Sequence, residues 1–181
     1  MNRRILVSLV LLAPWGTLAL AAQTPRQVPE RAEERIRKEV RHEILMLPFF
    51  DVFDNIAYKV EGYKVTLMGQ VTRPTLKSDA GNVVKRIEGV EAVDNQIEVL
   101  PLSTMDNQLR VALYRAIYGY PALERYALPV IKPIRIIVKN GNVTLEGVVD
   151  NEADKNMVNI RANGVSGVFS VTNHLVVAKS K

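Results

Sequence analysis

The chain contains the same pattern twice. Shifted by 78 residues, Val65-Thr66-Leu67-Met68-Gly69-Gln70-Val71 falls on Val143-Thr144-Leu145-Glu146-Gly147-Val148-Val149, with five of the seven positions identical. At the same shift Gly89, Val90, Val93, Asn95 and Val99 fall on Gly167, Val168, Val171, Asn173 and Val177. Two blocks agreeing in one register describe a duplicated unit of about 70 residues. A core that small is marginal, so the copies have reason to pack together. Upstream the register changes to 73, where Ile36, Val40, Ile44 and Pro48 fall on Leu109, Leu113, Ile117 and Pro121. Copy two therefore carries five extra residues between Pro121 and Ile134.

Each copy opens with an amphipathic helix. Ile36, Val40 and Ile44 recur every four residues, Glu34 and Lys38 form an i,i+4 pair on the outer side, and Pro48 stops the helix. Two alternating strands follow, containing Ile56, Tyr58 and Val60, then Val65, Leu67 and Val71. They are joined by Glu61-Gly62-Tyr63-Lys64 in copy one and by the strong hairpin signal Asn140-Gly141 in copy two. Gly69 and Gly147 stand where a side chain would face outward or meet another backbone. A second helix is expected over roughly 74–88 and 152–165, and a last strand over 92–99 and 170–177. The fold class is α+β: two tandem small α/β sandwich repeats, each ordered helix, strand, strand, helix, strand. A three-stranded mixed sheet covered on one face by two helices is the compact solution.

The organisation expected is a leader over 1–22, a flexible lead-in over 23–30, a first domain over 31–101 and a second over 102–181. Arg3 and Arg4, the apolar run Ile5 to Leu12 and the small-x-small sequence Ala19-Leu20-Ala21 read as a secretory signal peptide, cut after Ala21 or Ala22. Pro14 and Gly16 interrupt the apolar run, which is short for a membrane span. An exported chain without cysteine points to a bacterial periplasm. Removing the leader takes away two arginines and no acids, so the formal charge of +5 falls to +3, too mild for a nucleic-acid footprint.

The leading helix, the Val-Thr-Leu-x-Gly-x-Val strand, the second helix and the Gly-Val-x-x-Val-x-Asn-x-x-x-Val ending together resemble the BON domain family, named for bacterial osmotically inducible and nodulation proteins. The resemblance covers both copies. It implies a non-enzymatic periplasmic protein, associated peripherally with envelope phospholipids or with partner proteins, in envelope integrity or osmotic stress tolerance. Val65, Leu67, Gly69, Gly89, Val90, Val93, Asn95, Val143, Leu145, Gly147, Gly167, Val168, Val171 and Asn173 carry over as fold determinants only. The missing cysteine excludes the lipoprotein anchor of some relatives.

No catalytic residue, metal site or cofactor is expected. His42 and His174 do not recur between copies and lack neighbours at ligand spacing. Asp150, Glu152 and Asp154 suit the positive end of a helix.

A contact surface is better supplied. Copy one, 31–101, has eleven Lys/Arg against twelve Asp/Glu, a charge of −1; copy two, 103–181, has ten against six, a charge of +4. The extra segment of copy two offers Tyr118, Tyr120, Leu123, Arg125, Tyr126, Leu128, Lys132 and Arg135. Such a loop can rest its apolar side chains at an anionic phospholipid surface while its cations meet headgroups. Alternatively, Leu123, Tyr126 and Leu128 cover the open end of the core, as Phe50 and Phe53 would in copy one. A second class of function is a structural or protein-interaction module, docking an envelope partner or another copy of itself through sheet edges or the apolar loop.

Overall fold

The computed structural model describes residues 30–179. The expected leader and residues 23–29 of the lead-in lie outside the described residues, while Glu30 already opens the first helix. Copy one runs α1 (Glu30–Leu45), β1 (Asn55–Glu61), β2 (Lys64–Val71), α2 (Pro74–Lys85), β3 (Ala92–Asn95) and β4 (Glu98–Val99). Copy two runs α3 (Thr104–Tyr118), a 3₁₀ helix (Pro121–Tyr126), β5 (Ile134–Lys139), β6 (Asn142–Val149), α4 (Glu152–Asn163), β7 (Ser170–Asn173) and β8 (Val176–Val177). In each sheet the middle strand pairs antiparallel with the first and parallel with the last two segments. Strands β1 and β5 are thus outer strands.

The core follows the expected periodicities. Ile36, Val40 and Ile44 of α1 pack with Val65, Leu67 and Val71 of β2 and with Leu76, Ala80 and Val84 of α2. Leu109, Leu113 and Ile117 of α3 pack with Val143, Leu145 and Val149 of β6 and with Val158 and Ala162 of α4. Among the other shared positions, Val90 and Val93 lean on the first core, and Val168 and Val171 on the second. Lys38 meets Glu34 at 3.4 Å across the exposed face of α1.

Gly69 and Gly147 have φ of +111° and +123°. A Cβ there would sit 2.2 Å from the Asn55 carbonyl oxygen and 1.9 Å from that of Pro133, so the recurring glycine lets neighbouring backbones meet.

The expected last strand differs. It is broken in both copies, at Gln96-Ile97 and at His174-Leu175, and the recurring asparagine is the cause. Asn95 donates through Nδ2 to the Lys77 carbonyl at 2.7 Å and accepts at Oδ1 from Ile97 N at 3.3 Å. Asn173 does the same with Lys155 and Leu175 at 3.1 Å each. The amide stitches the sheet to the second helix and turns the chain locally, which a regular strand does not allow. The second helices end two or three residues early, at Lys85 and Asn163.

A further recurring device joins the first helix to the hairpin. Glu33 accepts from Gly62 N at 2.8 Å, and buried Asp106 accepts from Asn140 N and Gly141 N at 2.9 Å each. These two carboxylates align under the shift of 73.

The loop before β1 ties the copies together. Val52 is 3% exposed and belongs to the core of copy two, against which Phe53 also packs, while Phe50 packs on copy one. Ile136 N on the outer edge of β5 donates to the Val52 carbonyl at 2.9 Å. Arg135 donates to the Asp51 carbonyl at 2.8 Å and lies 4.6 Å from the Phe50 ring centroid. Fully buried Asp54 holds the loop's shape by accepting from Thr72 N at 2.6 Å, Thr72 Oγ1 at 2.9 Å and Asp51 N at 3.0 Å. On the other sheet face, Lys139 pairs with Glu98 at 2.5 Å, beside buried Leu100 and Ile137.

Candidate functional site

The extra segment of copy two divides into a buried anchor and an exposed tip. The anchor is the 3₁₀ helix, which Pro121 starts. Leu123 and Tyr126 enter the core, and Tyr118 is buried beside them, its hydroxyl donating to the Ile134 carbonyl and accepting from Ile134 N. Burial pushes the Tyr118 hydroxyl well above the ordinary phenol range. Tyr120 is half-buried under the Arg161 guanidinium, 4.9 Å from its ring. These four side chains have structural partners in the fold.

The Tyr126 hydroxyl does in copy two what Asp54 does in copy one. It accepts from Asp150 N at 2.8 Å, at the position equivalent to Thr72, and donates to Asp154 at 2.6 Å. Asp154 is also bonded by Asn151, the N-cap of α4, and by Arg125. Burial first, and the bond to Asp154 second, push the Tyr126 pKa up to about 12. Because the unfolded phenol ionises near 10 and the folded one near 12, stability contributed here is complete below about pH 10 and is lost as pH rises through that window. Thermal melts of wild type and Tyr126→Phe between pH 9 and about 12 should show a steeper decline in wild type; equal slopes would remove Tyr126 from the account.

All three expected cations of the segment are engaged within the protein. Arg125 pairs with Asp150 at 2.9 Å and with Asp154, and bonds the Ala122 carbonyl at 3.1 Å. Lys132 Nζ folds back onto the carbonyls of Ala127 at 2.8 Å and Pro129 at 2.7 Å. Arg135 is taken up between the copies, where burial lowers its pKa. The cations therefore shape the loop and hold its base.

What stays outside is apolar. Leu128, Val130 and Ile131 are 78%, 97% and 45% exposed. Sequence reasoning singled out Leu128 but not Val130 or Ile131; their place in the five extra residues of copy two was the available signal, because the turn bonds Phe50 N to Leu47 O and Asp54 N to Asp51 O recur at a shift of 73 as Leu123 N to Tyr120 O and Ala127 N to Glu124 O. Among the described residues no cluster of His, Asp and Glu could hold a metal ion, and no helix is long and apolar enough to cross a membrane. His174 meets Glu146 at 2.7 Å on the surface. Asp150, Glu152 and Asp154 stand at the start of α4 as expected, with Asp154 turned into the Tyr126 network.

Two helix-backed sheets joined by a buried loop, the second carrying an exposed apolar tip, make a tandem α+β module. The BON domain model matches residues 32–101 and 122–179. The chain belongs to the BON domain family, a non-catalytic binding-type domain that points to an envelope-associated module. No curated protein matches. Among solved structures it is similar to CdsD, a structural protein of the Type III secretion system of Chlamydia trachomatis, at 14% identity over 81% of this chain and 94% of that one, with a TM-score of 0.33. It is also similar to the CdsD C-terminal domain, at 16% identity over 78% and 96%, with a TM-score of 0.27.

Proposed function

We propose that this is a non-enzymatic periplasmic module of the bacterial envelope that works by docking, through the loop Leu128 to Ile131, onto a protein surface. The observation that supports it is that three apolar side chains of one loop stand in solvent while the loop's cations are turned inward. An exposed apolar tip on a braced loop loses little conformational freedom on binding. A second reading is peripheral association with anionic phospholipid, supporting envelope integrity or osmotic stress tolerance. It draws on the same tip and on the +4 charge of copy two. With Arg125, Lys132 and Arg135 engaged internally, such binding would rest on apolar insertion and depend weakly on salt.

The test is co-sedimentation of the mature protein, and of a variant with Leu128, Val130 and Ile131 changed to Ser, with envelope fractions and with neutral and anionic liposomes at low and high salt. Docking on protein predicts envelope binding that the variant loses by about tenfold or more, and that protease treatment of the envelope removes. Equal binding by the variant would contradict the loop's role, and liposome binding lost by the variant would favour the lipid reading.

A further inference from the structure

The outer edge of the second sheet is occupied, and the equivalent edge of the first is not. In copy two, Ile136 N on β5 donates to the Val52 carbonyl at 2.9 Å, and the adjacent Phe53 meets Tyr114 of α3 edge-on, with ring centroids 6.4 Å apart. A segment of copy one thus covers the place where α3 and β5 meet. The same place recurs in copy one: the shift of 78 sets Tyr58 on Ile136, and the shift of 73 sets Arg41 and Leu45 on Tyr114 and Tyr118. Tyr58 pairs with Leu67 as Ile136 pairs with Leu145, so Tyr58 N points away from β2. Among the described residues β2 is the only strand paired with β1, and no backbone carbonyl accepts from Tyr58 N.

Beside that donor lies a groove of about 270 Å³ between α1 and β1. Ile44, Leu45, Phe50 and Ile56 supply its apolar lining, Arg41 and Arg135 supply its charge, and no acidic residue lines it. The ion pairs of α1 join Arg35 to Glu39 and Glu88, and Arg37 and Lys38 to Glu34, which leaves exposed Arg41 without one among the described residues. Arg135 gives one N–H to the Asp51 carbonyl and lies over the Phe50 ring, and its fork carries further donors. Asp51 and Asp54 stand near Arg135, but the Asp54 carboxylate accepts from Thr72 and from Asp51 N, and that of Asp51 from Val52 N. An apolar groove with two guanidinium groups and no acid selects an anion joined to an apolar group.

We propose that this groove is a second docking surface, separate from the loop Leu128 to Ile131, and that its occupant is a segment of a partner protein carrying a carboxylate next to an apolar side chain. The apolar side chain fills the groove, the carboxylate meets Arg41 and Arg135, and a backbone carbonyl of the segment accepts from Tyr58 N. A protein segment is favoured over a lipid headgroup because a peptide carbonyl is what satisfies the equivalent donor in copy two. The segment that does so, Phe50-Asp51-Val52-Phe53, itself sets an acid between apolar residues. Opposite charge at the groove adds selectivity for acidic segments over basic ones.

The probe is a synthetic amidated peptide copying residues 48–54, beside a second peptide with asparagine in place of Asp51 and Asp54. Titrated into the isotope-labelled mature protein to about 1 mM and followed by NMR, the first peptide should shift the Tyr58 amide and slow its exchange with solvent. It should bind about tenfold or more tighter than the second, and Arg41→Glu should weaken it by a similar factor at an unchanged melting temperature. If Arg41→Glu melts lower, the comparison of the two peptides still decides. Equal affinity for the two peptides, binding that Arg41→Glu leaves unchanged, or shifts at Ile136 in place of Tyr58 overturn the proposal. So does the absence of any shift up to about 1 mM. Vesicles of phosphatidylglycerol that shift Tyr58 in wild type but not in Arg41→Glu, where the peptide shifts neither, overturn it in favour of a lipid occupant.

Discussion

A Val52→Asp variant should melt in two steps where wild type melts in one. Val52 is carried by copy one but buried in the core of copy two. An aspartate there would be buried in the cluster that holds Leu113, Ile117 and Ile134, and Arg135 at the junction is already occupied with Asp51 and Phe50. An unpaired buried charge costs about 3–5 kcal/mol, which for a domain this small lowers its melting midpoint by roughly 10–20 °C. The core of copy one, whose members lie in its own helices and sheet, should keep most of its stability. Calorimetry would resolve two transitions, the lower belonging to copy two. One transition close to the wild-type temperature would show that the copies are not coupled through this loop.

Gly147→Ala should be nearly as damaging, and confined to copy two at first. The new Cβ would lie 1.9 Å from the Pro133 carbonyl oxygen, on a backbone with φ of +123°. Either the chain leaves that conformation or Pro133 moves, and Pro133 accepts from Val148 N at 3.1 Å just before β5 begins. The strain and the lost pairing together cost about 3 kcal/mol or more. Gly69→Ala should act likewise through Asn55 in copy one. Denaturant unfolding followed by amide exchange would locate the loss; a change below about 1 kcal/mol would mean that the sheet accommodates the methyl group.

The duplicated pattern made most of the fold legible. Helix stripes at Ile36, Val40 and Ile44 and the alternation in β2 predicted the layers, because burial on one face leaves a period in the sequence. The break in the last strand did not show, since the apolar alternation through Val93, Ile97 and Val99 continues across it; only the side-chain bonds of Asn95 reveal the turn. The Glu33 and Asp106 clamps were hidden for a related reason. A carboxylate in a first helical turn already suits the helix dipole, so nothing in the sequence asks for a second partner.

The candidate site was legible only in part. An aromatic, cation-rich loop reads as a surface, but Arg125 finds its carboxylates 25 and 29 residues further along, a pairing that only the folded chain creates. Leu123 and Tyr126 read equally well as cover for the core, and that is where they lie. The exposed tip, Leu128 to Ile131, belongs to the extra residues of copy two, so copy one holds no counterpart from which its exposure could be read.

The docking account is tested most directly by cross-linking. The chain has no cysteine, so single variants Val130→Cys and Phe169→Cys each carry one thiol. Phe169 is 81% exposed and lies outside the loop Leu128 to Ile131. Labelled with a photoactivatable maleimide and exposed to light on envelope fractions, Val130→Cys should give cross-links to envelope protein several-fold above those from Phe169→Cys. Equal yields from the two variants would contradict docking through the loop Leu128 to Ile131.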